Sequence, residues 1–374
     1  DLIGTVNMKL YEKIGNELKD AIAGNVLKPG DKVLSISEMK EKYQVSHITV
    51  LRAYTELTEQ KYIQMKKGQG YFVRNMQQPR NMTLEHGVIG CFLRPLRPET
   101  ETDNFFNRIN LGVQLECASR RIHWLNLHSL SVLNQWPATE NAVQQIEPEM
   151  IAFAGQVDGL LIDERIPDAM IENLRKLTSK PMLLVNRRTA LPIDSVGPPN
   201  RQNMWNGMDL TVRMGYDTFL YLCSGNSLYN CIELQRSFLE YLESHPACKE
   251  RTSFIQDCCI VSWEETARKM DAALDRILPD ARRVLVIAEA GSSCECAAHH
   301  LKKRGFELGK KIGLLSALDF GYHRTLSPQP AALRSNPEAI GRLAVEKLLT
   351  RIAYASLPPG HFMPEPDMSL HETL

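Results

Sequence analysis

The side chains best suited to chemistry in this sequence form a binding face rather than a catalytic set. In residues 45–57, His47, Arg52 and Thr55 share one side of an expected helix, where each can hydrogen-bond a phosphate or a base edge. Lys66 and Lys67 follow in a Lys-Lys-Gly-Gln-Gly turn between two runs of strand formers, residues 62–65 and 71–73. Cations at a hairpin tip attract phosphate by charge alone. No Ser/His/Asp arrangement and no lysine signature of aldehyde chemistry stands out, so no catalytic residue is assigned. The nine cysteines include Cys258-Cys259 and Cys294-Glu295-Cys296, with none at C-x-x-C spacing. Several, Cys91 and Cys223 among them, sit in apolar runs. The set reads as buried, reduced thiols of a cytoplasmic protein. His299-His300 beside Cys294 and Cys296 raises a metal reading. Adjacent helical residues, however, point about 100° apart and converge poorly on one ion. No metal and no cofactor is expected.

Positioning the binding face takes a small helical core. Val50, Ala53, Tyr54 and Leu57 recur at i, i+3, i+4 and i+7, an inward apolar stripe. Ser46 can cap that helix. Upstream, Ser35-Ile36-Ser37-Glu38 has capping-box spacing for a preceding helix from Glu38 to about Tyr43. Helix, tight turn, helix is the plan of a DNA reader whose second helix enters the major groove, and it is also a plain packing unit. The basic hairpin that follows decides for DNA, because it forms the wing of a winged helix.

Residues 10–74 resemble the DNA-binding domain of the GntR-type transcription regulators. The matching pieces are a first helix at residues 11–23, then Gly24-Asn25-Val26-Leu27-Lys28-Pro29-Gly30-Asp31, then Val45-Ser46-x-x-Thr49-Val50 and Gly68-x-Gly70-x-Phe72-Val73. The resemblance implies a DNA face made of Ser35, Ser37, Ser46, His47, Thr49, Arg52, Lys66, Lys67, Gly68 and Gly70. The family usually has arginine where this chain has Ser37, His47 and Leu51, so no operator sequence carries over.

The 374 residues are 43% hydrophobic and 24% charged, enough for more than one core, and the overall charge is zero. Residues 1–76 hold 12 Lys and Arg against 9 Asp and Glu, a net +3, which leaves −3 on the remainder. No apolar run approaches a membrane span and no signal peptide precedes the first helix, so a cytoplasmic protein is expected. Three regions follow: a winged helix-turn-helix over residues 1–75, a polar, proline-containing linker over residues 76–86, and a body over residues 87–374.

In the body, apolar strands at residues 87–93, 122–127, 157–162 and 180–186 alternate with helices near residues 106–120 and 139–153 and after Pro167. A second series places helices at residues 202–214, 233–243 and 264–277, with another ending at residue 304. Its strands lie at residues 218–222, 254–261, 283–288 and 311–316. Such alternation predicts an α/β protein with parallel sheets covered on both faces, and the length favours two lobes. Arg187 and Asp163 end two of the strands, where α/β clefts bind ligands. A helix cap or a surface role is an equal reading for Asp163.

The order of pieces resembles the effector domain of the LacI/GalR regulators, itself related to periplasmic sugar-binding proteins. The markers are Val88-Ile89-Gly90, Asn104-Phe105-Phe106, residues 157–162, Pro181 to Arg187, Ser195-Val196, Asn200, residues 313–319 and Ile340-Gly341-Arg342-Leu343-Ala344-Val345. A GntR-type head on a LacI-type body is the arrangement of arabinose-repressor-like proteins. It implies an effector in an inter-lobe cleft. The positions implied are Phe105, Phe106, Asn186, Arg187, Asn230 and Asp319, with Asp163 added from its strand end. Leu234 stands where the family has a ligand-gripping arginine, and Arg236, two residues on, is the expected substitute. Leu318 replaces the first of two aspartates. For Phe105 and Phe106, packing at a helix start is as good a reading as ligand stacking.

These features predict a ligand-responsive transcription regulator, in expectation a repressor. It would bind a near-palindromic operator as a homodimer, with a small polar effector such as a sugar, a sugar acid or a derivative. The alternative is a GntR-headed chain with an aminotransferase-like enzymatic body, whose order of motifs is not found here. A solute-binding transport protein fits neither the head nor the lack of an export signal.

Overall fold

The computed structural model describes residues 10–23, 27–60, 62–74, 84–94, 105–127, 140–225, 229–258, 262–318 and 326–374, with backbone only at 20, 23 and 140–144. The head comprises helices α1 (Leu10–Ala23), α2 (Ile36–Tyr43) and α3 (His47–Glu59), then the hairpin β1 (Ile63–Lys66) and β2 (Gly70–Val73). Ser35 closes a reciprocal capping box. Its hydroxyl accepts from the Glu38 N–H at 3.2 Å while the Glu38 carboxylate accepts from the Ser35 N–H at 2.6 Å. Glu38 is therefore the third helical residue, and α2 starts two residues before the expected Glu38. Ser46 caps α3 through the Thr49 N–H at 3.1 Å. Val50, Ala53, Tyr54 and Leu57 are buried as their spacing predicts, against Ile14, Leu18, Val33 and Met39. In the wing Ile63 pairs with Val73 and Lys66 with Gly70. Gly68 at φ +74° and Gly70 at φ +103° take backbone conformations that a side chain would strain.

The body continues with β3 (Val88–Phe92), α4 (Phe105–Ser119), β4 (His123–Asn126), α5 (Glu140–Ala154), β5 (Gly159–Ile162), α6 (Asp168–Leu177), β6 (Met182–Val185) and β7 (Asp194–Val196). Next come α7 (Asn200–Arg213), β8 (Thr218–Leu222), α8 (Tyr229–Ser244), α9 (Pro246–Glu250), β9 (Thr252–Ile255), α10 (Trp263–Ile277), β10 (Val284–Ala288) and α11 (Gly291–Lys303). The chain ends through β11 (Ile312–Ser316), β12 (Ala331–Arg334), α12 (Pro337–Ala353), β13 (His361–Phe362) and β14 (Asp367–Ser369).

Two compact units result. One contains Asp1–Leu93, Glu116–Gly197 and Leu343–Glu365; the other contains Arg94–Leu115, Pro198–Arg342 and Pro366–Leu374. The first unit holds a parallel sheet in the order β13-β7-β6-β5-β3-β4, with α5 and α6 packed on one face through Ile146, Met150, Ile171 and Leu174. The second unit's sheet runs β14-β12-β11-β10-β8-β9, parallel except for β14. Phe238 and Tyr241 cover one of its faces, Met270, Leu274 and Leu301 the other. Double cover explains why β8, β10 and β11 are apolar at nearly every residue. This is the expected α/β architecture, preceded in the sequence by a winged helix-turn-helix.

The strand expected at residues 254–261 is instead β9 at the sheet edge, ending at Ile255, and residues 259–261 lie outside the described residues. Most of the expected linker, residues 76–83, lies outside them as well. The body is anchored from His86 onward. The Asp158 carboxylate accepts from the His86 N–H at 3.0 Å and the Val88 N–H at 2.9 Å. The short β12, β13 and β14 had not been anticipated. An ion pair between buried Asp194 and half-buried Arg351 holds β13 in place. Arg351 reaches Asp194 at 2.7 and 3.0 Å, donates to the Ala355 and Pro358 carbonyls at 3.1 Å, and so folds the chain leading to β13 back onto β7.

Candidate functional site

Helix α3 turns its apolar stripe inward, which leaves Ser46, His47, Ile48, Leu51, Arg52 and Thr55 exposed on the opposite side. His47 stands free at the helix start, whereas the hydroxyls of Ser46 and Thr49 lie 2.8 Å apart and are partly spent on the cap. Arg52 is turned along the head. Its guanidinium lies 3.8 Å from the centre of the Tyr11 ring, donates to the Tyr11 hydroxyl at 3.0 Å and to Glu56 at 3.3 Å. Thr55 donates to the Leu51 carbonyl at 2.9 Å. Ser35 is occupied by its capping box, while Ser37 is exposed. On the wing Lys66 and Lys67 are exposed, with the Lys66 ammonium 4.5 Å from the centre of the Phe72 ring. Exposed Lys32 joins them, because its backbone bridges to Phe72 beside the hairpin. The head thus presents one helix face and one cationic hairpin, the two surfaces a winged helix offers to a groove and to phosphates.

In the first unit the carboxyl ends of β5 and β6 carry a buried polar cluster. Asp163 receives the Arg165 backbone N–H at 2.9 Å and its guanidinium at 2.9 to 3.1 Å, with both side chains almost wholly enclosed. Glu164 accepts from the Asn186 amide at 3.2 Å. Asn186 sits at φ +61°, a left-handed conformation that asparagine tolerates better than most residues and that aims its side chain back into the cluster. Glu164 and Arg165 were missed by sequence reasoning, although Asp-Glu-Arg directly after an all-apolar strand was a usable signal. Arg187, expected as a fork for a ligand, has its guanidinium engaged within the protein. It pairs with Asp168 at the start of α6 and donates to the Ile166 carbonyl at 2.6 Å. Thr189 binds the same carboxylate at 2.7 Å. An acid in the first turn of α6 draws the guanidinium to it, so Arg187 holds the strand-end loop to the helix.

In the second unit Phe105 is a core residue, 1% exposed, and Phe106 meets it edge-on at 5.4 Å. The Arg94 guanidinium stacks 3.8 Å from the centre of the Phe106 ring, and the Asn110 amide ties the Arg94 and Phe106 carbonyls together. Packing accounts for Phe105; Phe106 belongs to an aromatic–guanidinium pair. Asn230 is buried and accepts from Asn200 at 3.2 Å. Arg236 is the expected substitute for the missing arginine. It is 62% exposed and pairs with Glu233 at 2.9 Å, because a residue two positions from buried Leu234 lies about 200° around the helix. Asp319 lies outside the described residues. Glu289, directly after β10, was also missed. It is buried, accepts from the Ser224 N–H and hydroxyl and from Tyr221 at 3.2 Å, and burial raises its pKa.

The eight cysteines among the described residues are free thiols, seven of them buried. Burial pushes the Cys294 thiol up to about 12 and the Cys296 thiol to about 11. His300 pairs with Asp271 at 2.8 Å, and among the described residues no group of His, Cys, Asp and Glu could hold a metal ion. No described helix is long and apolar enough to cross a membrane.

Residues 10–73 match the family model of the bacterial regulatory proteins of the gntR family. Two curated relatives are similar over stretches of 65 and 78 residues. The mannosyl-D-glycerate transport/metabolism system repressor MngR of Escherichia coli is 34% identical over 65 residues, which is 17% of this chain and 27% of the relative. The Uxu operon regulator of Haemophilus influenzae is 33% identical over 78 residues, 21% of this chain and 29% of the relative. The chain therefore spans little more than a quarter of the length of the curated relatives it matches.

Among solved structures, the transcriptional regulator CelR in complex with cellobiose is 16% identical with a TM-score of 0.57, covering 88% of this chain and 92% of that one. A LacI family regulator CCPA from Weissella paramesenteroides with bound glucose is 14% identical with a TM-score of 0.60, covering 77% and 98%. A LacI family regulator from Enterococcus faecium with bound ribose is 15% identical with a TM-score of 0.57, covering 76% and 98%. These define a class by its two parts. Residues 10–73 are a GntR-type DNA-binding domain, and the body has the fold of the LacI-family regulators. These relatives and structural neighbours are transcription regulators, not enzymes.

Proposed function

We propose that this chain is a ligand-responsive transcription regulator, a cytoplasmic repressor that binds a near-palindromic operator as a homodimer. The observation that carries the proposal is the union of a GntR-type head with a body of the fold that holds cellobiose, glucose or ribose in other regulators. The division into a head at residues 1–75, a linker at residues 76–86 and a body at residues 87–374 belongs to the same proposal. The DNA face is His47 and its neighbours on α3, with Lys66 and Lys67 on phosphates. The effector is a small polar metabolite, a sugar, sugar acid or derivative; in the first unit the strand-end groups Asp163, Glu164 and Asn186 are the candidates to meet it, and in the second unit Phe106 and Asn230 are. Arg187 acts by fixing the loop rather than by gripping the ligand. Regulation is a population shift, in which effector favours one arrangement of the chain and so changes the affinity of the heads for DNA.

Two measurements test this. A thermal-shift screen of neutral sugars and sugar acids should find a stabilising ligand, since a ligand at a hundred times its Kd adds about 2.7 kcal/mol. For the head, Lys66→Ala with Lys67→Ala should weaken binding to all duplexes alike and reduce the slope of log affinity against log salt by roughly 2. An unchanged slope removes the wing from the interface.

A further inference from the structure

We infer that Ile48 and Leu51 read the 5-methyl groups of thymine and thereby set the sequence preference of the head; the inference rests on the DNA-binding reading above. Ile48 is 76% exposed, more than any other large hydrophobic residue among those described, and Leu51 is 38% exposed. They lie three residues apart on α3, so the two aliphatic side chains stand next to each other on its outer face. The other exposed residues of this face are polar: Ser46 and His47 at the helix start, Arg52 and Thr55 one turn on. The helix already has a complete apolar stripe in Val50, Ala53, Tyr54 and Leu57, so these two are not needed for the head's core.

The long cation of that face is diverted from its centre. Arg52 lies on the Tyr11 ring and pairs with Glu56, which leaves the middle of the face aliphatic. An isoleucine can neither bond a phosphate nor read a donor or acceptor. In the major groove the one apolar group on any base edge is the C5-methyl of thymine. A helix that meets DNA with this face therefore gains from thymine opposite Ile48 and Leu51, and from no other base.

The test uses the chain of residues 1–374 and duplexes selected from a random pool. Each thymine of the enriched site is then replaced by deoxyuridine, which lacks only the methyl group. At one or two positions per half-site, affinity should fall about fourfold, the effect of exposing one methyl-sized group. That loss should disappear in Ile48→Ala or Leu51→Ala. Alanine is the best helix former, so α3 should persist, which circular dichroism checks. Deoxyuridine without effect at every position overturns the inference, as does an equal loss in the double alanine variant. Salt-dependent duplex binding with no enriched site also overturns it while leaving the DNA-binding reading intact. Failure to bind any duplex at low salt removes that reading, and the inference with it.

Discussion

His361 in β13 holds its Nδ1 2.8 Å from the Ser195 hydroxyl, and burial, with the Arg188 charge adding to it, pushes its pKa down to about 3 from an ordinary 6.5. Between those values the unfolded chain takes up a proton that the folded chain refuses. Stability from this residue is therefore complete above pH 6.5 and is lost as the pH falls toward 3, at up to about 1.4 kcal/mol per pH unit. His361→Gln should keep a partner for Ser195 and flatten the fall in melting temperature between pH 7 and pH 5. A difference between variant and parent that does not change with pH defeats the assignment. His361 was not legible in the sequence, because its burial depends on a strand of two residues. The Asp194–Arg351 pair was equally hidden, its members 157 residues apart. By contrast the caps Ser35 and Ser46 were legible, since capping is written within four residues of sequence. Where Arg236 falls on its helix was not legible from its distance to Leu234, because nearness in sequence is not nearness on a helix.

At the scale of elements, α4 and α12 cross through two glycines. A Cβ on Gly112 would stand 2.0 Å from the Glu338 carbonyl oxygen, and one on Gly341 would stand 2.1 Å from the Ile109 carbonyl oxygen. The obstacle is backbone in both cases, so the helices themselves would have to separate. Gly341→Ala should therefore cost roughly 2–3 kcal/mol by overpacking, despite alanine's better helix propensity. It should also displace the start of α4, where Phe106 and Asn110 are held, and so weaken effector binding more than operator binding. Chemical denaturation and a ligand titration check this, and a variant as stable as the parent would refute the close crossing. Gly341 was visible in the sequence only as a family marker. Long periodic elements such as α3 and α10, and fully apolar strands such as β8 and β10, were legible because burial on one stripe or on both faces leaves a pattern. The edge strand β9 and the short β12 to β14 left none, since their pairing is set by distant partners.

For the whole molecule, the separation of cores matters most. Among the described residues, the buried cluster that closes the head runs from Ile14 to Val73, and the three body clusters described contain none of its members. A fragment comprising residues 84–374 should then fold without the head and bind the sugar found by thermal shift as tightly as the intact chain does in the absence of DNA. Coupling should appear only in the intact chain, and it must be reciprocal. If saturating sugar weakens operator binding by some factor, saturating operator must weaken sugar binding by the same factor, about 5- to 150-fold for a coupling of 1–3 kcal/mol. Isothermal titration of the sugar into free chain, into the chain–operator complex and into the fragment measures all three terms. Equal sugar affinity with and without operator means that this ligand does not regulate the head, however tightly it binds, because a ligand with no preference between two states shifts neither.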